Sequence, residues 1–545
     1  MPPSVSPADY AVISQALAAA AREMGAKLIR SAYSTVLREA RDGSAAILDS
    51  AGNTIAQAEL IPIQLGSIGE TFRPCIARFP AETLREGDVL VNNDAYDGGQ
   101  HLQDIFLFTP IFADGSVVGF SASVAHHIDV GGGAPGLNVS ASDIYQEGLI
   151  LPPLRFNLAR DWNGGAFERL IAANVRVPSQ TIGDLNAQLA ANGVGAARVA
   201  HLCARYGRAT VAAVMAMMQD YAERRVRAAI AAIPDGTYEG DDALDDDGVH
   251  DEPLPVRVRV TVKGDTLDID YDGTAPQVAR NINAPFASTV SATLSCLKLA
   301  LTGPDVPFNE GAKRPVTIRA PLGSLLNPRH PAPVRARMEP CYRAFGAVMR
   351  ALARAVPERV MAAGYDTTTA LSLSRLGASG YRVYIDITGG GYGAREGSDG
   401  TDAIAGPLGN CSNTPAEVID GEYDFFRIAE YGMLAGSGGE GRWRGGLGIR
   451  RSFEVLKDGV GFALYADRFR LAPRGLAGGG AGARASCRLL RDGAEVPIPS
   501  KAALTLKAGD RIVLETGGGA GYGPAAERDP AAIAEDRAEG LTGVA

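Results

Sequence analysis

Apolar positions Ile13, Leu17, Met24 and Leu28 recur at helical spacing behind Ser6-Pro7, a capping serine followed by proline at the first helical position. The pattern predicts one long amphipathic helix to about residue 38. Strand-like runs follow at 45–48, beyond the turn Asp49-Ser50-Ala51-Gly52-Asn53, and at 87–92, with an apolar, glycine-punctuated segment at 61–69 between them. Residues 104–112 and 116–125 are β-like and joined by Ala113-Asp114-Gly115. Asp-Gly between two such runs is a strong hairpin signal. Helical periodicity returns over 165–233, with apolar stripes at 182–191 and 196–233 broken near Asn192-Gly193, and Pro234-Asp235-Gly236 ends it. The period then changes to two. Val256, Val258, Val260 and Val262 alternate with Arg257, Arg259 and Thr261, and Lys263-Gly264-Asp265 turns into a partner run at 266–271, which predicts a hairpin with one solvated face. A helical stretch at about 286–302 precedes a region of glycine clusters. Those at 389–393, 436–441, 445–448, 478–480 and 517–519 sit between β-like runs at 381–387, 450–454 and 511–515, with no fixed period and hence no repeat.

These elements predict an α+β, multidomain chain. Residues 1–235 form a helical and β-hairpin N-terminal part carrying a candidate metal site. Residues 236–440 form a mixed α/β middle, 441–525 a glycine-rich, β-rich part, and 526–545 a charged tail that is helical or partly disordered. The chain has 545 residues, too many for one core and enough for about three to four domains. A net charge of −9 leaves no basic footprint for nucleic acid. The six cysteines are scattered without a CxxC pair, as expected of reduced thiols. The first residues lack a basic segment followed by an apolar one, and no run of about 18 apolar residues occurs. The expected location is the cytoplasm, without a membrane span.

The candidate chemistry lies between Asn92 and Gly133. Of the six histidines, His101, His126 and His127 fall here, each within three residues of Asp104 or Asp129. Folding the chain at Asp114-Gly115 brings residues 124–127 level with 102–105. His101, Asp104 and one of His126 or His127 then come within ligand reach of one divalent ion. Strand neighbours face opposite sides, so spacing alone leaves the choice between the two histidines open. The remaining histidine, or Asp129, is available as a supporting or proton-transfer group. Two imidazoles with oxygen ligands suit Zn, Mn or Fe, which polarise a carbonyl or phosphoryl oxygen or activate water.

Other signals carry less. Gly436-Ser437-Gly438-Gly439-Glu440-Gly441 matches GxGxxG but opens no amphipathic helix, and no GxxxxGK[ST] occurs. The acidic run at 241–248 lacks calcium-loop spacing and reads as a solvated loop. His201 reads as structural, and His250 and His330 lie in loops without evident partners.

Several motifs together resemble a known family. Asn93-Asp94-Ala95-Tyr96-Asp97-Gly98-Gly99 with His101-Leu102-Gln103-Asp104 is similar to NDPYxGGxHxxD, and Ala125-His126-His127-Ile128-Asp129-Val130-Gly131-Gly132 to AHHxDIGG. Glu147-Gly148-Leu149-Ile150-Leu151-Pro152-Pro153 resembles EGxxIPP, and the segments at 442–448 and 517–524 resemble late motifs of the same group. Ala95 and Val130 stand where proline and isoleucine are usual. The chain is identified as resembling the hydantoinase B/5-oxoprolinase family, which includes B subunits of N-methylhydantoinase and caprolactamase and subunits of acetone and acetophenone carboxylases. The resemblance implies a hetero-oligomer in which a hydantoinase A-type partner binds ATP and phosphorylates a carbonyl or enolate oxygen. It implies metal ligands Asp42, His101, Asp104 and His126, the last chosen over His127. The expected function is the B-type subunit of an ATP-dependent cyclic-amide hydrolase, with His127 or Asp129 relaying a proton. The alternatives are a ketone carboxylase subunit, whose metal stabilises an enolate that attacks CO2, and a structural subunit.

Overall fold

The computed structural model describes residues 5–58 and 60–542. Residues 1–4, on which the absence of a leader was expected, and the tail's end at 543–545 lie outside the described residues.

The first helix ends sooner than its periodicity predicts. Pro7–Ser31 is one helix and Thr35–Arg38 a second. The backbone N–H groups of Tyr33 and Ser34 donate to Asp184 Oδ1 at 2.7 and 3.1 Å, so a distant carboxylate takes the donors a continuous helix would use. Ser34 then caps the new turn by accepting from the Leu37 N–H.

A six-stranded sheet follows, built from β1 (Gly43–Asp49), β2 (Thr54–Gln57), β3 (Asp88–Asn92), β4 (Asp104–Ala113), β5 (Ser116–His126) and β6 (Leu154–Asn157), in the order β2-β1-β5-β4-β3-β6. Every pairing in it is antiparallel. Side-chain alternation sends Ala45 and Ile47 to a core shared with the Pro7–Ser31 and Pro178–Tyr206 helices. Ala46, Leu48, Phe106 and Phe108 point the other way, onto Phe72 of the Ile68–Arg78 helix. The Phe72 ring lies 5.0 Å from Phe108 and 4.5 Å from Phe120, and the sheet is covered on both faces. The Asp114-Gly115 hairpin forms at the predicted place, with Ala113 opposite Ser116 and positive φ at both turn residues, 48° and 74°. That is the two-residue turn whose twist matches the flanking strands.

Pro178–Tyr206 runs as one helix through Asn192-Gly193, so the predicted break there does not occur. Asn192 ties the helix to the sheet instead, donating to Leu107 O at 3.1 Å and Thr109 Oγ1 at 3.2 Å. The break falls at Gly207, whose φ of 84° a glycine adopts freely, before the helix Arg208–Ile230.

In the middle region the predicted hairpin pairs Leu254–Lys263 with Thr266–Asp270. Gly236–Leu244 pairs antiparallel on one side, and Val316–Arg319 parallel on the other. The acidic run is therefore not a solvated loop. Asp241–Asp242 belong to the edge strand, and Asp242 and Asp245 are buried. Burial opposes the Asp242 charge, but Arg468, 2.8 Å away, and Arg343 hold its pKa down at about 2. The helix Met338–Leu352, buried nearly all round, packs on this sheet beside Phe286–Leu301. One apolar cluster here draws residues from Ile61 to Tyr465.

The C-terminal part holds a four-stranded and a five-stranded sheet that share one core. The glycine clusters, far apart in sequence, interlock. Gly391 N–H donates to Gly517 O, Gly439 N–H to Gly519 O, and Gly519 N–H to Gly446 O. A Cβ on Gly519 would stand 1.8 Å from Tyr392 O, and one on Gly445 1.8 Å from Gly519 O, so only glycine permits these backbones to meet. The GxGxxG stretch belongs to this knot and leads into the strand Gly448–Val455, not a helix. The tail forms the helix Pro530–Ala538, whose Asp536 accepts from Arg444 and Arg528 at 3.0 and 2.7 Å. No described helix is long and apolar enough to cross a membrane.

Gly115→Val places a β-branched residue at positive φ. It should cost about 1–2 kcal/mol in denaturant unfolding, while Asp114→Gly should cost little, because glycine tolerates the same backbone.

Candidate functional site

The open end of the β4–β5 hairpin gathers the predicted residues. Asp104 lies directly opposite His126 in the ladder. On the other edge of β5, β1 runs antiparallel with Gly43 opposite Ala125. The next residue back, Asp42, is thereby brought beside His126, whose N–H donates to Asp42 O at 2.9 Å. Arg41 turns the chain into β1 with φ of 61°, a left-handed conformation unusual for a non-glycine residue. His101 reaches in from the segment before β4, its ring centroid 5.0 Å from that of His126 at an interplanar angle of 66°.

Asp42, His101 and His126 line a cavity of about 70 Å³. The three are 7%, 4% and 9% exposed, so all are held nearly out of water. Burial, then the nearby Arg337 charge, pushes the His101 pKa well below its usual value, and burial with Arg335 does the same for His126. Both imidazoles are therefore neutral at pH 7, the form that binds a metal. Burial, then repulsion from Asp104, raises the Asp42 pKa to about 7. The amide of Gln64 bridges the two carboxylates, donating to Asp42 Oδ1 at 2.9 Å and Asp104 Oδ1 at 3.3 Å.

Asp104 stands behind this wall. It is fully buried and its Oδ2 accepts from Arg337, which also donates to Gln100 Oε1 at 2.7 Å. His101 Nδ1 approaches the same Oδ2 at 3.3 Å but without hydrogen-bond alignment. Among the described residues, no group of three or more His, Cys, Asp or Glu side chains closes into a finished metal cage. The donor chemistry fits a divalent cation all the same. The Nδ1 atoms of His101 and His126 are buried without hydrogen-bond partners, and a carboxylate stands on the same wall. Orphaned buried acceptors of this kind are costly unless something completes them.

His127 and Asp129 do not line the cavity. His127 points to the opposite side of the sheet, where Nε2 meets Gln188 Oε1 at 3.0 Å, and Gln188 in turn donates to Ile105 O at 2.9 Å. Asp129 accepts from the backbone N–H of Arg176, from the Arg176 guanidinium at 3.3 Å and from the Gly131 N–H at 3.2 Å. His127 anchors the 127–133 loop to the Pro178–Tyr206 helix itself, and Asp129 anchors it to the segment leading into that helix. Two of the other three histidines have partners: His250 Nδ1 lies 2.8 Å from Asp247 Oδ2, and His330 Nε2 3.4 Å from the Tyr145 hydroxyl.

The facing wall comes from residues outside the sequence-based site. Arg335, Glu339, Thr368, Cys411 and Tyr465 line it. Burial, then Asp467, raises the Glu339 pKa to about 7. Its Oε1 accepts from the Thr368 N–H at 3.2 Å, and its Oε2 is buried without a partner. Cys411, a free thiol, has its pKa raised by burial and then by Asp42 and Asp104. The available sequence signal was Arg335-Ala336-Arg337-Met338-Glu339, charges at every second position before an apolar helix. Glu147, from the segment that resembles EGxxIPP, explains how this segment is held. Its carboxylate accepts from the N–H groups of Val334 at 3.0 Å and Arg335 at 2.9 Å.

The Hydantoinase B/oxoprolinase family model matches residues 6–525. The chain belongs to this family. Within it, the chain is 32% identical over 561 residues to caprolactamase subunit beta of Pseudomonas jessenii, covering 99% of this chain and 95% of that one. The crystal structure of ATP-dependent caprolactamase from that organism superposes with a TM-score of 0.91 at 31% identity, over 99% of this chain and 95% of that chain. The 5-oxoprolinase of Saccharomyces cerevisiae is 31% identical over 95% of this chain but only 42% of its own length. A nucleotide-free acetone carboxylase structure shares the fold, with a TM-score of 0.85 at 20% identity, over 98% of this chain and 78% of that chain. The family match covers the hairpin, the cavity and the glycine knot alike.

Glu147 carries a test of this electrostatic arrangement. Burial raises its pKa from 4.5 to about 8 despite the two backbone donors. A carboxyl raised on folding stabilises the native state below its unfolded pKa, and that stability is lost as pH rises through the folded value. The wild-type unfolding midpoint should therefore fall between about pH 5 and about pH 8. Glu147→Gln keeps the acceptor and removes the titration, so its midpoint should fall less over the same window.

Proposed function

We propose that this chain is the B-type subunit of an ATP-dependent cyclic-amide hydrolase, acting with an A-type partner that phosphorylates the substrate amide oxygen. The observation that carries the reading is the wall of Asp42, His101 and His126, two neutral imidazoles and a carboxylate in an enclosed cavity, in a chain matching the family from residue 6 to 525. Phosphorylation addresses the chemical difficulty, since an amide carbonyl is a poor electrophile and its phosphorylated imidate a better one. The partner supplies ATP chemistry, and the name of caprolactamase subunit beta supports such a division of labour. The complex is assigned to the cytoplasm.

Asp42, His101 and His126 would hold a Zn, Mn or Fe ion, with Asp104 behind them. When bound, the ion supplies a Lewis acid for the carbonyl or an acidified water. Gln64 and Arg337 orient the two carboxylates. His127 and Asp129 are assigned positioning roles in place of the expected proton relay, because neither lines the cavity and both bond to groups away from it. Glu339 is the better-placed group to take or give a proton, with one oxygen unpartnered on the cavity wall and a pKa near 7. The fold shared with acetone carboxylase keeps a ketone carboxylase as the second reading, in which the same wall would face an enolate.

The test is reconstitution with the A-type partner. ATP-dependent ring opening of 5-oxoproline, a hydantoin or caprolactam is expected, and turnover of ketone with bicarbonate instead would favour the carboxylase. His101→Ala and His126→Ala should each lose bound metal by elemental analysis and reduce turnover by more than the ~10–100-fold expected of a supporting residue, the range expected for His127→Ala. Full activity and full metal content in both ligand variants would leave the chain a structural subunit.

A further inference from the structure

We infer that Arg335 forms an anion-binding subsite facing the His101–His126 wall, and that it receives the phosphoryl or carboxylate group of the substrate. The inference rests on the functional reading above and narrows its substrate class.

Arg335 is 7% exposed and lines the same cavity as Asp42, His101 and His126. Its backbone is fixed, because its N–H donates to Glu147. Its guanidinium is not matched in the same way. Nη2 is buried without a hydrogen-bond partner, and among the described residues no carboxylate pairs with this side chain within ion-pair distance. The neighbouring Arg337, by contrast, has a carboxylate partner, its Nη2 donating to both Asp104 and Gln100. The Tyr465 hydroxyl on the same wall donates to Asn138 O and accepts from Asn281, and makes no hydrogen bond with Arg335.

A buried guanidinium stays charged, and leaving it without an acceptor is expensive. Arg335 carries that cost on the wall of a cavity that the unpartnered Nδ1 atoms of His101 and His126 share. Arg presents a rigid fork that matches the paired oxygens of a carboxylate or phosphoryl group. A cavity of about 70 Å³ admits a group of this size. Asp42 and Glu339 also face the cavity, so an anion has reason to settle at the Arg335 end. An amide held with its anionic group on Arg335 would direct its carbonyl toward His101 and His126.

Two sources share this chemistry: the phosphoryl group added by the partner, and a carboxylate native to the substrate. Calorimetric titration of the full-length chain with inorganic phosphate, 5-oxoproline and the uncharged caprolactam separates them. Phosphate is expected to bind wild type and to bind Arg335→Met at least tenfold more weakly, with Arg335→Lys between them and metal content unchanged in both variants. Competition of 5-oxoproline with phosphate, and none by caprolactam, assigns the subsite to a substrate carboxylate. Phosphate binding without competition by 5-oxoproline assigns it to the transferred phosphoryl group. Phosphate affinity equal to wild type in Arg335→Lys and Arg335→Met, or no anion binding to wild type, overturns the inference. Because binding is read without turnover, such a failure leaves ATP-dependent ring opening untouched. Failure of the functional reading would instead abolish turnover with anion binding intact.

Discussion

Strand β5 is hydrogen-bonded on both edges, and the site depends on where it ends. Its last residue, His126, is level with Asp104 on the β4 side and lies one step beyond the Gly43–Ala125 pair on the β1 side. One register therefore sets three candidate site residues from three separate stretches of chain. Side-chain alternation then sorts the adjacent histidines. His126 goes to the cavity and His127 to the helix on the opposite face, and a slip of one residue would exchange them. The aromatic packing of Phe72, Phe108 and Phe120 on one face and the helices on the other resist such a slip, because it would turn the buried set outward.

The second constraint is electrostatic. Asp42, Asp104 and Glu339 are all buried within or beside one small cavity, and all three have pKa values raised by that burial. Arg337 is committed to Asp104, and Gln64 spreads one amide across two carboxylates. Arg335 adds a cation without a bonded partner. Buried charge of both signs, incompletely matched, is poor for stability and is what a binding site has to retain. At the Asp242 cluster the buried charges are matched directly. Asp242, held between Arg468 and Arg343, has its pKa lowered instead of raised. The contrast marks the cavity as the place where ligands complete the interactions.

The cavity has two walls of different origin. The sheet supplies one, and the segment from Arg335 into the Met338–Leu352 helix supplies the other, held by Glu147 across the chain. Behind that wall, Tyr365 N–H donates to Gly391 O at 2.9 Å, and the following turn presents Thr368 to Glu339. The glycine knot therefore supports the facing wall from a distance. Its close backbone approaches explain why glycine clusters with no common period are spread over the last third of the chain.

The sequence by itself determined the local elements and half of the site. The Asp114-Gly115 turn between alternating strands specifies a hairpin from short-range chemistry alone, and the turn fixes which residues meet at its open end. Motif resemblance added Asp42 and the preference for His126. Tertiary structure decided what local pattern could not express. Asp184 broke the first helix from about 150 residues away, and Arg468 and Arg343 drew the acidic run at 241–248 into the core. Asn192 looked like a helix stop because its amide was read without the sheet it bonds to. Gln64 carried no local signal, and the alternating charges of Arg335 to Glu339 did not say what they face, since that placement comes from packing between distant segments. Hairpins and caps are encoded within a few residues, whereas the pairing of a buried charge is known only when the whole chain has closed around it.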